Sequence, residues 1–391
     1  MGDKFDLIIL GGGCAGLSLA TRLATQSPEF KTLVLESADR YTNNRTWCYW
    51  AVSDDIKSQA FNHEWDRMRL TAGQRVVEVD CTASPYRMLS ADKFYEQAVS
   101  TISKAPNISL KLGCHVQGEP LKVDELWRVN VGAENFSSTA VVDTRPKRRP
   151  VRNAALLWQS FYGFEIECNQ AVFDPASIDL MNFLPADALG IPFVYVLPTA
   201  ANRALIELTV FGPEPLYPED LSARLSTAIA EKVMGAGFKV LRSERGILPM
   251  GLPPTEQNID PSFVTVGVTA GAARPSTGFA FQRIQTWADA CTQSLCASGL
   301  PIVHAPDPLL VRTMDRIFLK TIRDQPQHAA DIFCSLFDGG NPACVIRFLS
   351  GHSGWLDYLS VAAALPPTPF IRQIPRLRQR PIHRLATDLG A

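Results

Sequence analysis

The 391-residue sequence predicts an α/β protein: a doubly wound, mostly parallel sheet, an inserted antiparallel layer and a helical C-terminal region. Three observations lead there. Glycines at positions 11, 13 and 16 stand between two apolar runs, Asp6–Leu10 and Lys31–Leu35. A second strand, small-residue loop and helix occur late, at Phe263–Cys291. Between them lie two long runs rich in aromatic and β-branched residues, Leu156–Cys168 and Ile191–Phe211.

The first unit reads as a Rossmann-type dinucleotide fingerprint. Gly11 permits a tight turn after the strand, Gly13 lets backbone approach a pyrophosphate, and Gly16 allows close helix–strand packing. The helix carries Leu17, Leu19, Ala20 and Leu23 and stops at Ser27-Pro28. Its N-terminus faces the phosphates. The next strand ends in Glu36, twenty residues beyond Gly16, where a carboxylate accepts hydrogen bonds from a ribose. FAD and NAD share this fingerprint, so it does not choose between them.

Residues Arg40–Trp50 form a polar loop dense in aromatics, which in an FAD protein crosses near the flavin. Arg45 and Trp47 are candidates there; the alternative is a surface loop with its aromatics turned inward. Strands are expected near Arg69–Leu70 and Arg75–Val79, then a strand end and an amphipathic helix capped by Ser90 over Tyr86–Ile102. Ser109–Leu112 and Trp127–Val131 read as strands. Ser138–Pro146 is an apolar strand ending in Asp143, at the kind of edge where doubly wound sheets place cofactor contacts. The basic stretch Arg145–Arg152 reads as a link between layers. The two long β-runs, with Asp174, Asp179 and Asn182 between them, suggest a substrate lobe, followed by a helix near Pro218–Val233. The late loop Ala270–Gly278 holds Gly271, Pro275, Thr277 and Gly278 as further cofactor candidates. Two nucleotide-contacting loops so far apart favour FAD over NAD alone. Leu309–Leu365 reads as helical. The expected organisation is a discontinuous FAD domain (1–150 and 240–300), a substrate lobe (151–239), a helical region (301–370) and a basic tail (371–391).

The composition narrows the function classes. With 38 basic and 39 acidic residues the net charge is −1, which gives no general affinity for nucleic acid. Nine cysteines without a C-x-x-C pair suggest reduced thiols in a cytoplasmic protein, and six scattered histidines offer no metal-ligand spacing. No secretory signal is expected, and no apolar run reaches the roughly 18–20 residues of a membrane span. Gly351–Trp355 lacks the G-x-S-x-G pattern of a nucleophile elbow. From Tyr358 to Thr387 there are five arginines (372, 376, 378, 380 and 384) and no acid, interleaved with Ile371, Ile374, Leu377 and Ile382. Such a tail suits an anionic membrane surface; a solvated tail is the alternative.

Over nearly its whole length the chain resembles the bacterial lycopene β-cyclases, FAD-dependent flavoproteins of carotenoid synthesis. The segments that carry the resemblance are "DLIILGGGCAG", "RTWCYW", "VVDTRP", "FVYVLPTAANRALIELTVF", "GAARPSTGFAF", "RIFLKTI" and "IRFLSGHSGWLDYLSVAAALPPTPF". The resemblance implies a redox-neutral cyclisation of the ends of lycopene to β-ionone rings, dependent on reduced FAD, with NAD(P)H as reductant. A proton adds to a terminal double bond, the carbocation closes a ring, and a ring proton leaves. Glu207, in "LIELT", matches the family's acidic strand; burial would favour its neutral form. Trp47, Phe193, Tyr195 and Phe279 would line the substrate pocket and stabilise the cation. At Met181-Asn182 the family commonly reads Met-Asp, so the second acid is missing there and Asn182 marks a departure. The polyene implies a membrane surface as partner, on the inner face of the membrane, and neighbouring carotenoid-pathway enzymes. The alternatives are a flavin monooxygenase or reductase acting on a prenylated or aromatic small molecule, and a catalytically silent carotenoid carrier.

Overall fold

The computed structural model describes residues 4–53, 60–146, 155–252, 259–371 and 373. Strand β1 (Lys4–Leu10) runs into the glycines, helix α1 (Cys14–Gln26) follows, and β2 (Thr32–Leu35) returns parallel beside β1. The first sheet is completed by β8 (Ile108–Lys111), β9 (Val116–Val123), β10 (Leu126–Val131), β11 (Glu134–Asp143) and β17 (Phe263–Thr265). Its order is β8-β2-β1-β11-β10-β9, with β17 paired to the end of β11. The pairs from β8 through β11, and β17 with β11, are parallel; β10 and β9 form an antiparallel extension.

Alternation along β1 explains its two-sided burial. Leu7 and Ile9 face a cluster formed with α1, with α2 (Ala91–Ile102) and with α4 (Phe281–Ser298), whereas Ile8 and Leu10 join Trp127, Val129 and Phe136 on the other face.

A second seven-stranded sheet carries the other half of the molecule. Its strands are β5 (Arg67–Ala72), β6 (Arg75–Asp80), β12 (Leu157–Cys168), β13 (Ser177–Phe183), β14 (Ile191–Ala200), β15 (Arg203–Gly212) and β16 (Phe238–Met250). They run in the order β16-β12-β15-β14-β13-β5-β6, antiparallel except for β13 with β5. One face packs on α3 (Pro218–Val233), whose Leu221, Leu225, Ile229 and Val233 recur at helical spacing. The other face meets the C-terminal helices α5 (Leu309–Asp324), α6 (Ala329–Asp338), α7 (Pro342–Ser350), α8 (Trp355–Ala364) and α9 (Pro367–Ile371). A small antiparallel sheet joins the halves: β3 (Thr46–Trp50), β7 (Tyr86–Ser90) and β4 (His63–Trp65).

Three expectations change. Sheet pairing cuts across the sequence-drawn boundaries, because 67–80 and 240–250 belong to the second sheet and not to the first. The end of the Arg40–Trp50 loop is strand β3, paired residue for residue with β7. Ser90 stands at the N-terminus of α2, but its side chain makes no capping bond there; its hydroxyl donates to Asn62 at 3.0 Å. The basic stretch 147–152 and the tail arginines 372, 376, 378, 380 and 384 lie outside the described residues.

Candidate active site

The first part of the site is the mouth of the parallel sheet. Gly11 has φ +97°, and a side chain there would meet Thr144 Oγ1 at 2.6 Å. A Cβ on Gly16 would overlap the carbonyl oxygen of Gly11, so the helix must approach the turn at a bare glycine. Gly13 differs: nothing lies within 4 Å of where its Cβ would stand. It caps α1 without any side-chain acceptor, so the first amides of the helix face open space. Glu36 accepts from the amides of Gly12 (2.6 Å) and Ala38 (2.8 Å), which fixes its carboxylate beside this space. Arg45 lies close enough to Cys14 and Tyr95 to act on both electrostatically. Burial pushes the Cys14 thiol up to about 12, so no thiolate opposes an anion at this helix end. An open cradle, unpaired helical amides, a cation and a ribose-height carboxylate fit a dinucleotide.

Asp143 has a partner within its own loop. Its two oxygens accept from the Arg145 amide (3.0 Å), Nε (2.9 Å) and Nη2 (2.7 Å), so it fixes Arg145.

The second part is the late loop. Gly271 (φ +97°) and Gly278 (φ +73°) both need left-handed backbone. A side chain on Gly278 would strike Gln159 Oε1 at 2.5 Å. Arg274, only 2% exposed, ties the loop to the helical region: it binds Asp315 of α5 (3.1 and 3.3 Å) and the Phe348 carbonyl of α7, and stacks on the Phe348 ring at 4.1 Å. Ser276 donates to the same Asp315 at 2.8 Å. Arg283 at the start of α4 holds the carbonyl of Ala272 (2.8 Å) and Asp307 (2.7 Å). Buried His304 accepts from the Gly267 amide at 3.2 Å, and burial with nearby Arg283 lowers it to about 3, so it stays neutral. Beside this loop a gap of about 30 Å³ is lined by Cys48, Trp50, Phe281 and Ser350, among others. Trp50 Nε1 and Ser350 Oγ are buried there without partners, which suits a ligand with polar ring atoms.

The third part is a cavity of about 250 Å³ between the second sheet and the C-terminal helices. Its wall is almost wholly apolar: Leu180 and Met181 of β13, Tyr195 of β14, Phe211 of β15, Trp50 of β3, Phe279 with Pro275's neighbours Ser276 and Thr277 from the late loop, and Phe318, Phe333, Phe337, Phe348 and Phe370 from the helices. Of the sequence candidates, Tyr195, Phe279 and Thr277 line this space. Trp47 does not; it packs on Phe94, Tyr95 and Phe281 in the first half of the molecule. Phe193 is fully buried in the floor, against Phe183, Tyr195 and Phe211. Asn182 is not on the wall either, because an irregularity in β13 turns Met181 inward beside it.

Glu207 stands behind Tyr195. Cross-strand register places Tyr195, Glu207, Gly163 and Glu244 in one row over β14, β15, β12 and β16, so their side chains share the face turned to the helices. Gly163 is what lets the carboxyls meet: a Cβ there would lie 3.0 Å from the Glu207 Cβ. Glu207 keeps some accessible surface, yet protein atoms surround it densely enough that desolvation raises its carboxyl well above the ordinary 4.5. The neighbouring Glu244 adds to that rise. Thr209 Oγ1 donates to Glu207 at 2.9 Å. Glu244, Arg242, Arg274, Asp315 and Trp50 are the residues that sequence reasoning missed. Alternation along "RSERG" in a β-run was the available signal for the first two.

Comparison with known proteins agrees with this layout. The lycopene β-cyclase of Pseudescherichia vulneris is 23% identical over 93% of this chain and 95% of its own length. That of Pantoea ananas is 23% identical over 95% of this chain and 97% of its own. Among solved structures, a geranylgeranyl bacteriochlorophyll reductase-like protein from Thermoplasma acidophilum superposes with a TM-score of 0.63 at 14% identity, covering 95% of this chain and 99% of that one. A flavin-dependent brominase gives 0.60 at 13% identity, over 96% and 100%. These two show the shared fold. The family model described as "Lycopene cyclase protein" matches residues 6–374, taking in the glycine cradle, the late loop, the row of Glu207 and the helical wall alike. The chain is therefore an enzyme of the lycopene cyclase family.

Proposed function

We propose that this enzyme is a carotenoid cyclase that binds FAD and closes the end of a linear polyene, lycopene or a near relative, into a β-ionone ring. One observation carries the reading: an apolar, aromatic-walled cavity with, behind its Tyr195 wall, a carboxyl to which no cation among the described residues donates. One carboxyl, Asp315, lines the cavity, and a second, Glu207, stands behind Tyr195 of its wall. Both oxygens of Asp315 are taken by Arg274, and Ser276 adds a third bond. Glu207 accepts only a hydroxyl and meets another carboxyl, so it is the group able to carry a proton to an alkene.

The wall does the rest. Aromatic faces at Trp50, Phe279 and Phe333 stabilise a cation by about 2 kcal/mol or more each when desolvated. An apolar lining excludes the water that would trap that cation as an alcohol. Pockets that enclose a drug-sized ligand measure about 300–1,000 Å³. A cavity of about 250 Å³ therefore suits one end of a long polyene at a time.

Gly13 and the α1 amides with Arg45 would hold the pyrophosphate, Glu36 the ribose, and the loop with Gly271, Pro275, Thr277 and Gly278 the ring system. Reduced FAD, when bound, supplies negative charge that stabilises the developing carbocation. NAD(P)H is the reductant we propose. No helix among the described residues is long and apolar enough to cross a membrane. Peripheral docking on the inner membrane face is supported by α8, which lines the cavity through Val361 and Ala362 and exposes Trp355, Leu356 and Leu359. Neighbouring carotenoid-pathway enzymes would share that surface.

The deciding experiment is anaerobic incubation with lycopene in liposomes, FAD and NADPH. A product of unchanged mass with a blue-shifted spectrum is expected. Oxygenated product, with oxygen and NADPH consumed in step when air is admitted, would replace the cyclase reading by a monooxygenase.

A further inference from the structure

We propose that Glu244 is the positioning partner of the acid: with Glu207 it forms a carboxyl dyad that holds one proton, and Arg242 with Thr46 fixes which member keeps it. The proposal rests on the reading of Glu207 as proton donor.

Charge balance across the sheet face is the first support. Arg203 and Arg242 both donate to Glu165, at 2.6 and 2.5 Å. Arg242 also donates through Nη1 to Glu244 Oε2 at 2.5 Å. Thr46 Oγ1 accepts from Arg242 Nη2 (2.8 Å) and donates to the same Glu244 oxygen (2.7 Å). Two guanidiniums thus answer two carboxylates. Glu207 is the third carboxyl, and among the described residues no cation donates to it. Thr209 donates to it, and Glu244 faces it across Gly163. A neutral Glu207 donating to an ionised Glu244 satisfies every group in the row.

Arg242 is the competing charge, and it lowers Glu207 less than burial and Glu244 raise it. Cys48 of β3, Tyr86 of β7 and Tyr195 of β14 face Glu207, and burial pushes all three up, so each stays protonated. Gly163 keeps β12 out of the way, and Arg242 and Glu244 are the charged groups that β16 presents.

This arrangement serves an isomerisation. Donation breaks the Glu207 O–H bond and forms a C–H bond at the polyene end. Two ionised carboxylates are then left in contact, which is unfavourable. Loss of a ring proton from the cation back to the dyad relieves that repulsion. No electron and no net proton is consumed.

The test uses full-length, FAD-loaded protein and its Glu244→Gln, Glu244→Asp and Glu207→Gln variants. The stretching band of a protonated carboxyl is followed by infrared difference spectroscopy against pH, without substrate. Wild type is expected to show the band at neutral pH and Glu207→Gln to lack it. In Glu244→Gln its titration should move down by roughly one pH unit or more, and Glu244→Asp, which keeps the charge, should largely restore it. The alkaline limb of cyclisation should move with the band. An unmoved band and limb in Glu244→Gln, with only the overall rate lowered, would overturn the dyad. Absence of cyclised product from wild type would sink the cyclase reading instead, while the infrared arm still decides the dyad.

Discussion

The proton-carrying role proposed for Glu207 follows from where the strand register puts it. The residue sits on a central strand, beside a second carboxyl, with no cation among the described residues donating to it. Replacing it with Gln keeps shape and bonding to Thr209 but removes the proton. FAD content should be unchanged while cyclisation falls by about 10²–10⁴-fold, measured by product formation under single-turnover conditions. The same raised carboxyl has a stability consequence. Between the ordinary 4.5 and its raised folded value, the native state binds more protons than the unfolded chain, so stability falls as pH rises through that window. Glu207→Gln should lose this slope in denaturant titrations run across pH. His304 acts with the opposite sign. Held neutral down to about 3 against an ordinary 6.5, it binds fewer protons folded than unfolded, so stability falls as pH drops from 6.5 toward 3. His304→Gln should flatten that acid limb.

At the scale of elements, the glycines of the first turn separate folding from binding. Gly16→Ala places a methyl against the Gly11 carbonyl and should cost about 3 kcal/mol, the upper end of overpacking. An added Cβ at Gly13 has no protein atom within 4 Å, so Gly13→Val should melt close to wild type yet purify without flavin. The strand–glycine–helix–strand unit was legible because its period changes from two to 3.6 around obligatory glycines, and α3 because Leu221, Leu225 and Ile229 repeat at helical spacing. Strand β3 was not: Thr46–Trp50 mixes aromatic and polar residues without alternation, and only pairing with the fully buried β7 makes it a strand. Glu244 escaped for a related reason. Its partner is 37 positions away in sequence, and only cross-strand register through Gly163 brings the two together. Trp47 and Phe193 were misplaced because an aromatic in a strand looks the same in a core and on a cavity wall.

For the whole molecule, both sheets and the helical region were foreseeable from composition and order, but not the crossing by which β5, β6 and β16 join the second sheet. Those strands flank the inserted lobe in sequence, and pairing across such distances leaves no local trace. The exposed apolar residues Trp355, Leu356 and Leu359 of α8 bear on how the whole enzyme docks. A Trp355→Ser/Leu359→Ser variant should cosediment less with anionic vesicles than wild type, while turning over detergent-dispersed polyene at an unchanged rate.

The loop anchored by Arg274 and Arg283 touches the glycine-cradle half of the molecule on one side and the helical wall of the cavity on the other. The flavin and polyene proposed to bind on its two sides would then be coupled through it. If an apolar chain seated under α5 tightens flavin retention by some factor, flavin must tighten the hold on that chain by the same factor. On the proposed function, such coupling would make the enzyme hold its oily substrate most firmly with flavin in place, and release flavin least readily while that chain is seated.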